Sequence, residues 1–324
     1  MCGPNVVTDE VRNRIAACNA RFREVSRSPF GEDDQIGMLN LIGADSMREI
    51  VSEADASRVF DLAVDYFIGM PSWTGFGDPS FQIWMSHTPS GSIVDNVVGV
   101  ERSQNELVSY SGDCITMYTH CGTHLDTLAH FGYRGLIWNG FSEKEHLGSR
   151  HWRACGAEKH PPIIARGVLL DVAATEGVEV LPAGFVIGAK ELQKCQEAQG
   201  TQVRPGDVVL LRTGRMRLWP DPEAYIPDEP GLDREGAEYL AKAGAILIGG
   251  DNIALEVRPS GDPDNFHVVH TYLLAEAGIP ILELVNLEEL AAEKVTEFAF
   301  VGAGLKIRGG TGAPMRPLAM PLRK

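Results

Sequence analysis

Apolar positions in the second half of the chain fall into alternating strand-like and helix-like stretches, and that alternation organises the reading. Residues 167–172 form an apolar, β-branched run between breakers, the mark of a buried strand. Ala183-Gly184 leads to a helix over 190–199 ended by Gly200, and residues 206–212 are a second buried strand. The alternation continues with a helix over 233–243 stopped at Gly244, a strand at 245–248, a helix at 267–276, a strand at 279–284 and a helix at 287–293. Residues 297–301 and 305–307 read as closing strands.

The first half is richer in strands and loops. Residues 8–26 read as an N-terminal helix that Thr8 or Asp9 can cap, then a loop over 28–34, then a helix over 44–56. Phe60, Leu62 and Val64 alternate as in a half-buried strand, and 93–98 is β-branched enough for a strand, although Asp95-Asn96 equally suits a turn. The expected class is α/β with α+β character: a helical extension over 1–57 and one compact domain over 58–324.

Composition narrows the class. The chain has 324 residues, 44% hydrophobic, which supports a large core and excludes a disordered chain. The 35 glycines and 19 prolines follow no period, which excludes a collagen-like or coiled-coil rod. A net charge of −15 argues against a nucleic-acid or anionic-membrane partner. Cys2, Cys18, Cys114, Cys121, Cys155 and Cys195 form no C-x-x-C pair, so reduced thiols in a cytoplasmic protein are expected. The first ten residues lack the basic and apolar regions of a secretory signal, and no apolar run reaches the 18 residues of a membrane span.

Three of the nine histidines fall between His120 and His130. His120, His124, Asp126 and His130 share one parity, so an extended segment points all four to one face, whereas a helix aligns them only in pairs. Imidazole and carboxylate are ligands of Zn²⁺, Mn²⁺ and Fe²⁺, and a His₂Asp set leaves positions open, as a catalytic centre needs. Cys121 points the other way. From spacing alone, His270 and Glu283 are further candidate ligands, or else a core histidine and a solvated strand end. Asp251 and Glu256 suit acids that brace the site from behind its ligands, but read more readily as surface acids in so acidic a chain. Trp73, Phe76, Phe81 and Trp84 cluster in a loop-rich region and serve equally as pocket lining or core.

At these residues the chain resembles the cyclase family of metal-dependent hydrolases. The family signature H-x-G-T-H-x-D-x-P-x-H is matched by His120, Gly122, Thr123, His124, Asp126 and His130, with Leu128 in place of proline, as in a longer branch of the family. Residues 31–40, 69–71, 206–214, 270–274 with Glu283, and 309–314 resemble family segments too. The resemblance implies a swivelling β/β/α-type fold and hydrolysis of an amide, lactam or ester. It implies one ion at His120, His124 and Asp126, and a second bridged by Asp126 and held by His270 and Glu283. Some members are read with a single manganese, so the expectation is one or two ions, Zn²⁺ or Mn²⁺. His130 takes the acid/base position, Trp73, Phe76, Phe81 and Trp84 that of a substrate wall, and the assembly is expected to be a homodimer or homotetramer. The favoured substrate is a small arylformamide or cyclic amide. The alternatives are a lactone or ester hydrolase using the same site, or a non-catalytic metal-binding protein.

Overall fold

The computed structural model describes residues 23–75 and 77–323. Their strands are β1 (Phe60–Asp61), β2 (Gln82–His87), β3 (Gly112–Thr116), β4 (His124–Asp126), β5 (Ile163–Asp171), β6 (Val186–Ile187), β7 (Val208–Arg212), β8 (Gly231–Leu232), β9 (Leu247–Gly250), β10 (Ile281–Glu283), β11 (Glu297–Gly302), β12 (Gly312–Pro314) and β13 (Leu318–Pro321). Nine of them make one sheet in the order β1-β13-β11-β5-β7-β9-β10-β4-β12. Its centre, β5-β7-β9-β10, is parallel, and every pair outside that centre is antiparallel. The mixed α/β expectation is met.

The parallel centre follows from the apolar runs. Val168–Leu170, Val208–Leu211 and Leu247-Ile248 are buried throughout, because strands covered on both faces have no polar side to alternate with. Covering helices come from the amphipathic stretches: Ala189–Gln199 stops at Gly200, and Arg234–Ala243 begins where the Asp233 carboxylate accepts the Gly236 N–H at 2.7 Å and ends at Gly244. The helix Ala44–Glu53 packs on the strand region of β5 and β11. Phe60, Leu62 and Val64 are buried and their neighbours are not, as alternation demands, although only Phe60–Asp61 is hydrogen-bonded in the sheet.

Several expectations need correction. Residues 8–22 of the expected N-terminal helix lie outside the described residues, and Arg23–Ser26 are not helical. The strand expected at 93–98 is instead the end of a helix, Pro89–Asp95: Thr88 accepts the Gly91 N–H and Pro89 opens the first turn, so local capping outweighs β-branching, and Asn96 closes the helix in the left-handed region. Residues 305–307 form no strand, because the Ile307 N–H folds back onto the Leu305 carbonyl at 2.7 Å. The closing strands are β12 and β13, where Ala313 and Ala319 are buried. Finally, the histidine-bearing segment is extended only over His124–Asp126; turns carry the residues on either side.

β2 and β3 stand apart as a two-stranded antiparallel ribbon whose connection holds two short helices, β2 exposed along its whole length. No described helix is long and apolar enough to cross a membrane.

Candidate active site

The site is built around β4, which lies between β10 and β12. The antiparallel register sets Glu283 opposite His124 and Ile281 opposite Asp126, so two residues 159 positions apart share one face of the sheet. Before β4 the chain turns at Gly122, whose φ of +59° would strain any residue with a Cβ and whose Cβ would meet the Tyr66 ring at 2.4 Å. Thr123, fully buried, fixes the entry: its hydroxyl donates to the Leu284 carbonyl at 2.6 Å and accepts the Val64 N–H at 2.9 Å. After β4 the His130 N–H closes a turn onto the Thr127 carbonyl at 3.0 Å, with Leu128 buried beneath it. β12 contributes close approach: a Cβ on Gly312 would stand 2.7 Å from the His120 ring.

These elements gather His120, His124, Asp126, His130, His270 and Glu283. Asp126 is fully buried at the centre. Its Oδ1 lies 2.6 Å from His120 Nδ1 and 3.2 Å from His124 Nε2, and its Oδ2 lies 3.5 Å from His270 Nε2 and 4.0 Å from His130 Nε2. Glu283 faces His124 Nε2 at 3.3 Å and His270 Nε2 at 3.2 Å. Donor atoms fall within 4.8 Å of one another as His120–Asp126–His130 and as His124–Asp126–Glu283, with Asp126 common to both.

Hydrogen bonding fixes which nitrogen of each ring is free. His124 Nδ1–H donates to the Gly122 carbonyl at 2.8 Å, and His270 Nδ1–H donates to Glu256 at 2.7 Å. Each neutral ring therefore turns the lone pair of Nε2 toward the oxygens of Asp126 and Glu283. The centre is a nest of acceptors without a donor; His124 Nε2, Asp126 Oδ2 and Glu283 Oε1 are buried and accept no hydrogen bond. Such a nest holds either added protons or a cation. Without an ion, burial opposes the charge on His124, but Asp126 and Glu283 prevail and raise its pKa to about 10; the same balance raises His270. Divalent ions take this donor set, so these residues fit a metal. His120 differs, since Nδ1 is engaged by Asp126 and Nε2 lies 3.0 Å from the Thr311 hydroxyl.

His130 stacks on His120, ring centres 3.8 Å apart, and keeps 17% of its side chain exposed. Burial, and then the neighbouring His120, press its pKa well below the usual 6.5, which leaves the ring neutral with one nitrogen lone pair free.

Above this centre lies a cavity of about 410 Å³ whose walls include Trp73, Tyr118, His120, His130, Phe131, Ile253, Arg258, His267, His270 and Glu283. Among the aromatic residues expected near the substrate, Trp73 lines it. Phe81 packs with Met70 and Cys121 and is not among the residues lining the cavity, Trp84 is 51% exposed on β2, and Phe76 lies outside the described residues. Cys121 is buried and packs with Met70 and Phe81.

Two acids taken for surface groups are fully buried. Asp251 accepts from Thr213 N–H, Thr213 hydroxyl and Gly214 N–H at 2.7–2.9 Å and braces a loop. Glu256 accepts from the His267 and His270 rings, and although burial works against its charge those bonds hold its pKa down at about 2. The available signal was local: Glu256 sits inside the otherwise apolar run 253–257, where a solvated acid is out of place. His267, Thr311 and Tyr118 carried no such signal.

A mixed α/β sheet that gathers histidines and carboxylates able to hold a metal defines the class: an α/β protein with a candidate metal centre. Residues 60–257, more than half of the chain, match the family model described as "Putative cyclase", and the chain belongs to that family. The isatin hydrolase of Roseibium aggregatum is 27% identical over 136 residues, covering 40% of this chain and 51% of that protein. The kynurenine formamidase of Bacillus thuringiensis (strain Al Hakam) is 27% identical over 227 residues, covering 69% of this chain and 86% of that protein. A crystal structure described as a novel cyclase superposes with a TM-score of 0.79 at 26% identity, covering 92% of this chain and 99% of its own.

Proposed function

We propose that this chain is a metal-dependent hydrolase that cleaves the C–N bond of a small arylformamide or cyclic amide. The donor-free convergence of His124 Nε2, His270 Nε2, Asp126 and Glu283 on the floor of an aromatic-walled cavity carries this reading. His120, His124, Asp126, His270 and Glu283 would hold one or two ions, Zn²⁺ or Mn²⁺. When bound, the ion supplies polarisation of the substrate carbonyl and a lowered pKa for water at the site. His130 then accepts the proton of the attacking water at its free ring nitrogen and returns it to the leaving nitrogen. Asp126 offsets cationic charge, and Trp73 and Phe131 hold a flat apolar substrate and exclude bulk water. The amide preference follows the relatives named above; an ester or lactone substrate would use the same residues.

The test is a substrate panel of formanilide, isatin and lactones given to protein loaded with Mn²⁺ or Zn²⁺. Hydrolysis of an amide supports the reading. Hydrolysis of lactones alone favours the second substrate class, and inertness toward all would make the protein a metal binder instead.

The proposal extends to a cytoplasmic homodimer or homotetramer. Ile83, Trp84 and Met85 on β2 and Ile115 on β3 are 44–54% exposed, and a two-stranded ribbon with its apolar residues in water is marginal by itself. A second copy of the chain covering that ribbon relieves the exposure.

A further inference from the structure

His267 lines the cavity but has no part in the reaction above. Its ring is fixed on several sides. Phe131, Phe266 and His270 pack against it with ring centres 5.0, 5.2 and 4.7 Å away, and its side chain is only 12% exposed. Its Nδ1 lies 3.1 Å from Oε1 of Glu256, the same oxygen that accepts from His270 Nδ1 at 2.7 Å. The Val269 and His270 N–H groups also donate to this carboxylate, at 3.3 and 3.2 Å, so Glu256 is held as an acceptor on every side.

A carboxylate oxygen that accepts from two rings forces the hydrogen onto Nδ1 of each. A ring that is neutral then presents Nε2 as a lone pair. For His270 that lone pair meets Asp126 and Glu283. For His267, Nε2 has no hydrogen-bond partner among the described residues, although the ring lines the cavity. One buried carboxylate thus orients two neighbouring imidazoles, one at the ion site and one in the wall of the cavity.

We infer that His267 is a specificity-determining residue whose Nε2 accepts a hydrogen bond from the N–H of the substrate's scissile amide or lactam. The inference rests on the hydrolase reading above and narrows it to secondary amides and N–H lactams over their N-alkylated counterparts. A lone pair at this place rewards a donor on the reacting group and leaves an N-methyl group facing an unpaired acceptor.

The experiment compares isatin with N-methylisatin, or formanilide with N-methylformanilide, on metal-loaded wild type and on His267→Phe, which keeps a ring between Phe131 and Phe266 but removes Nε2. Wild type should prefer the N–H member by roughly tenfold or more in kcat/KM, the scale of one hydrogen bond to a buried acceptor. In His267→Phe the ratio should fall toward one, with bound metal unchanged. If that variant does not fold, His267→Asn, too short to reach the position of Nε2, is read the same way. A variant that keeps the wild-type ratio overturns the inference while leaving the hydrolase reading intact. Loss of metal from a folded variant also overturns it, by making His267 an ion ligand. Absence of turnover on every pair overturns the hydrolase reading first, and the inference with it.

Discussion

Replacing Asp126 by alanine is the most direct test of the acceptor nest. The carboxylate is fully buried and lies within 2.6–4.0 Å of ring nitrogens from four histidines, more partners than any other acid in the cluster has. Removing it takes one negative charge from the place where a dication would sit. Even at 4 Å and an effective dielectric near 20, a single pair of unit charges is worth about 4 kcal/mol, so ion affinity should fall by roughly a thousandfold or more. The assay is metal analysis after dialysis against metal-free buffer, with thermal unfolding run with and without added Mn²⁺ or Zn²⁺. Wild type should retain metal and gain Tm on adding it, since a ligand that binds only the folded state stabilises it. Asp126→Ala should come through dialysis empty and show no metal-dependent Tm. Wild-type metal content in that variant would refute the assignment, whatever its activity.

Glu283→Ala should lose less metal than Asp126→Ala, because Glu283 contacts His124 and His270 only; equal losses in the same analysis would count against Asp126 as the shared ligand. His130→Ala should keep fold and metal while kcat drops by roughly 10²- to 10⁴-fold, as expected for a lost general base, and a wild-type rate across pH 6–9 would remove that role. Gly312→Ala should cost about 1–3 kcal/mol in denaturant unfolding and disturb His120, whose ring a Cβ would meet at 2.7 Å; an unchanged midpoint would contradict the packing described. Asn139→Ala should cost about 1–3 kcal/mol, because its buried amide donates to the carbonyls of Gly31, Glu32 and Asp34, which would lose those partners. Sedimentation should show at least a dimer, and a concentration-independent monomer would exclude the assembly proposed from the exposed β2–β3 ribbon.

Much of the framework was legible in the linear sequence because its cause is local. The apolar runs Val168–Leu170 and Val208–Leu211, short, rich in β-branched residues and bounded by glycine and charged residues, read as strands buried on both faces, and Gly200 and Gly244 end helices by their own backbone freedom. The spacing of His120, His124, Asp126 and His130 pointed to one cluster, and the four do meet. The reason differs from the one parity suggested: only His124–Asp126 is extended, and the turns at Gly122 and Thr127–His130 bring in the outer two.

What the chain could not reveal was long-range pairing. Glu283 reaches His124 because β10 lies antiparallel to β4 in one register out of many, and periodicity says nothing about register. Capping by Thr88 overrode the β-branched residues at 93–98, since one satisfied helix end outweighs a weak strand preference. Glu256 looked like a solvent acid until the fold wrapped two histidines and two backbone N–H groups around it. A buried charge is stable only with such partners, and those partners exist only once the tertiary structure has formed.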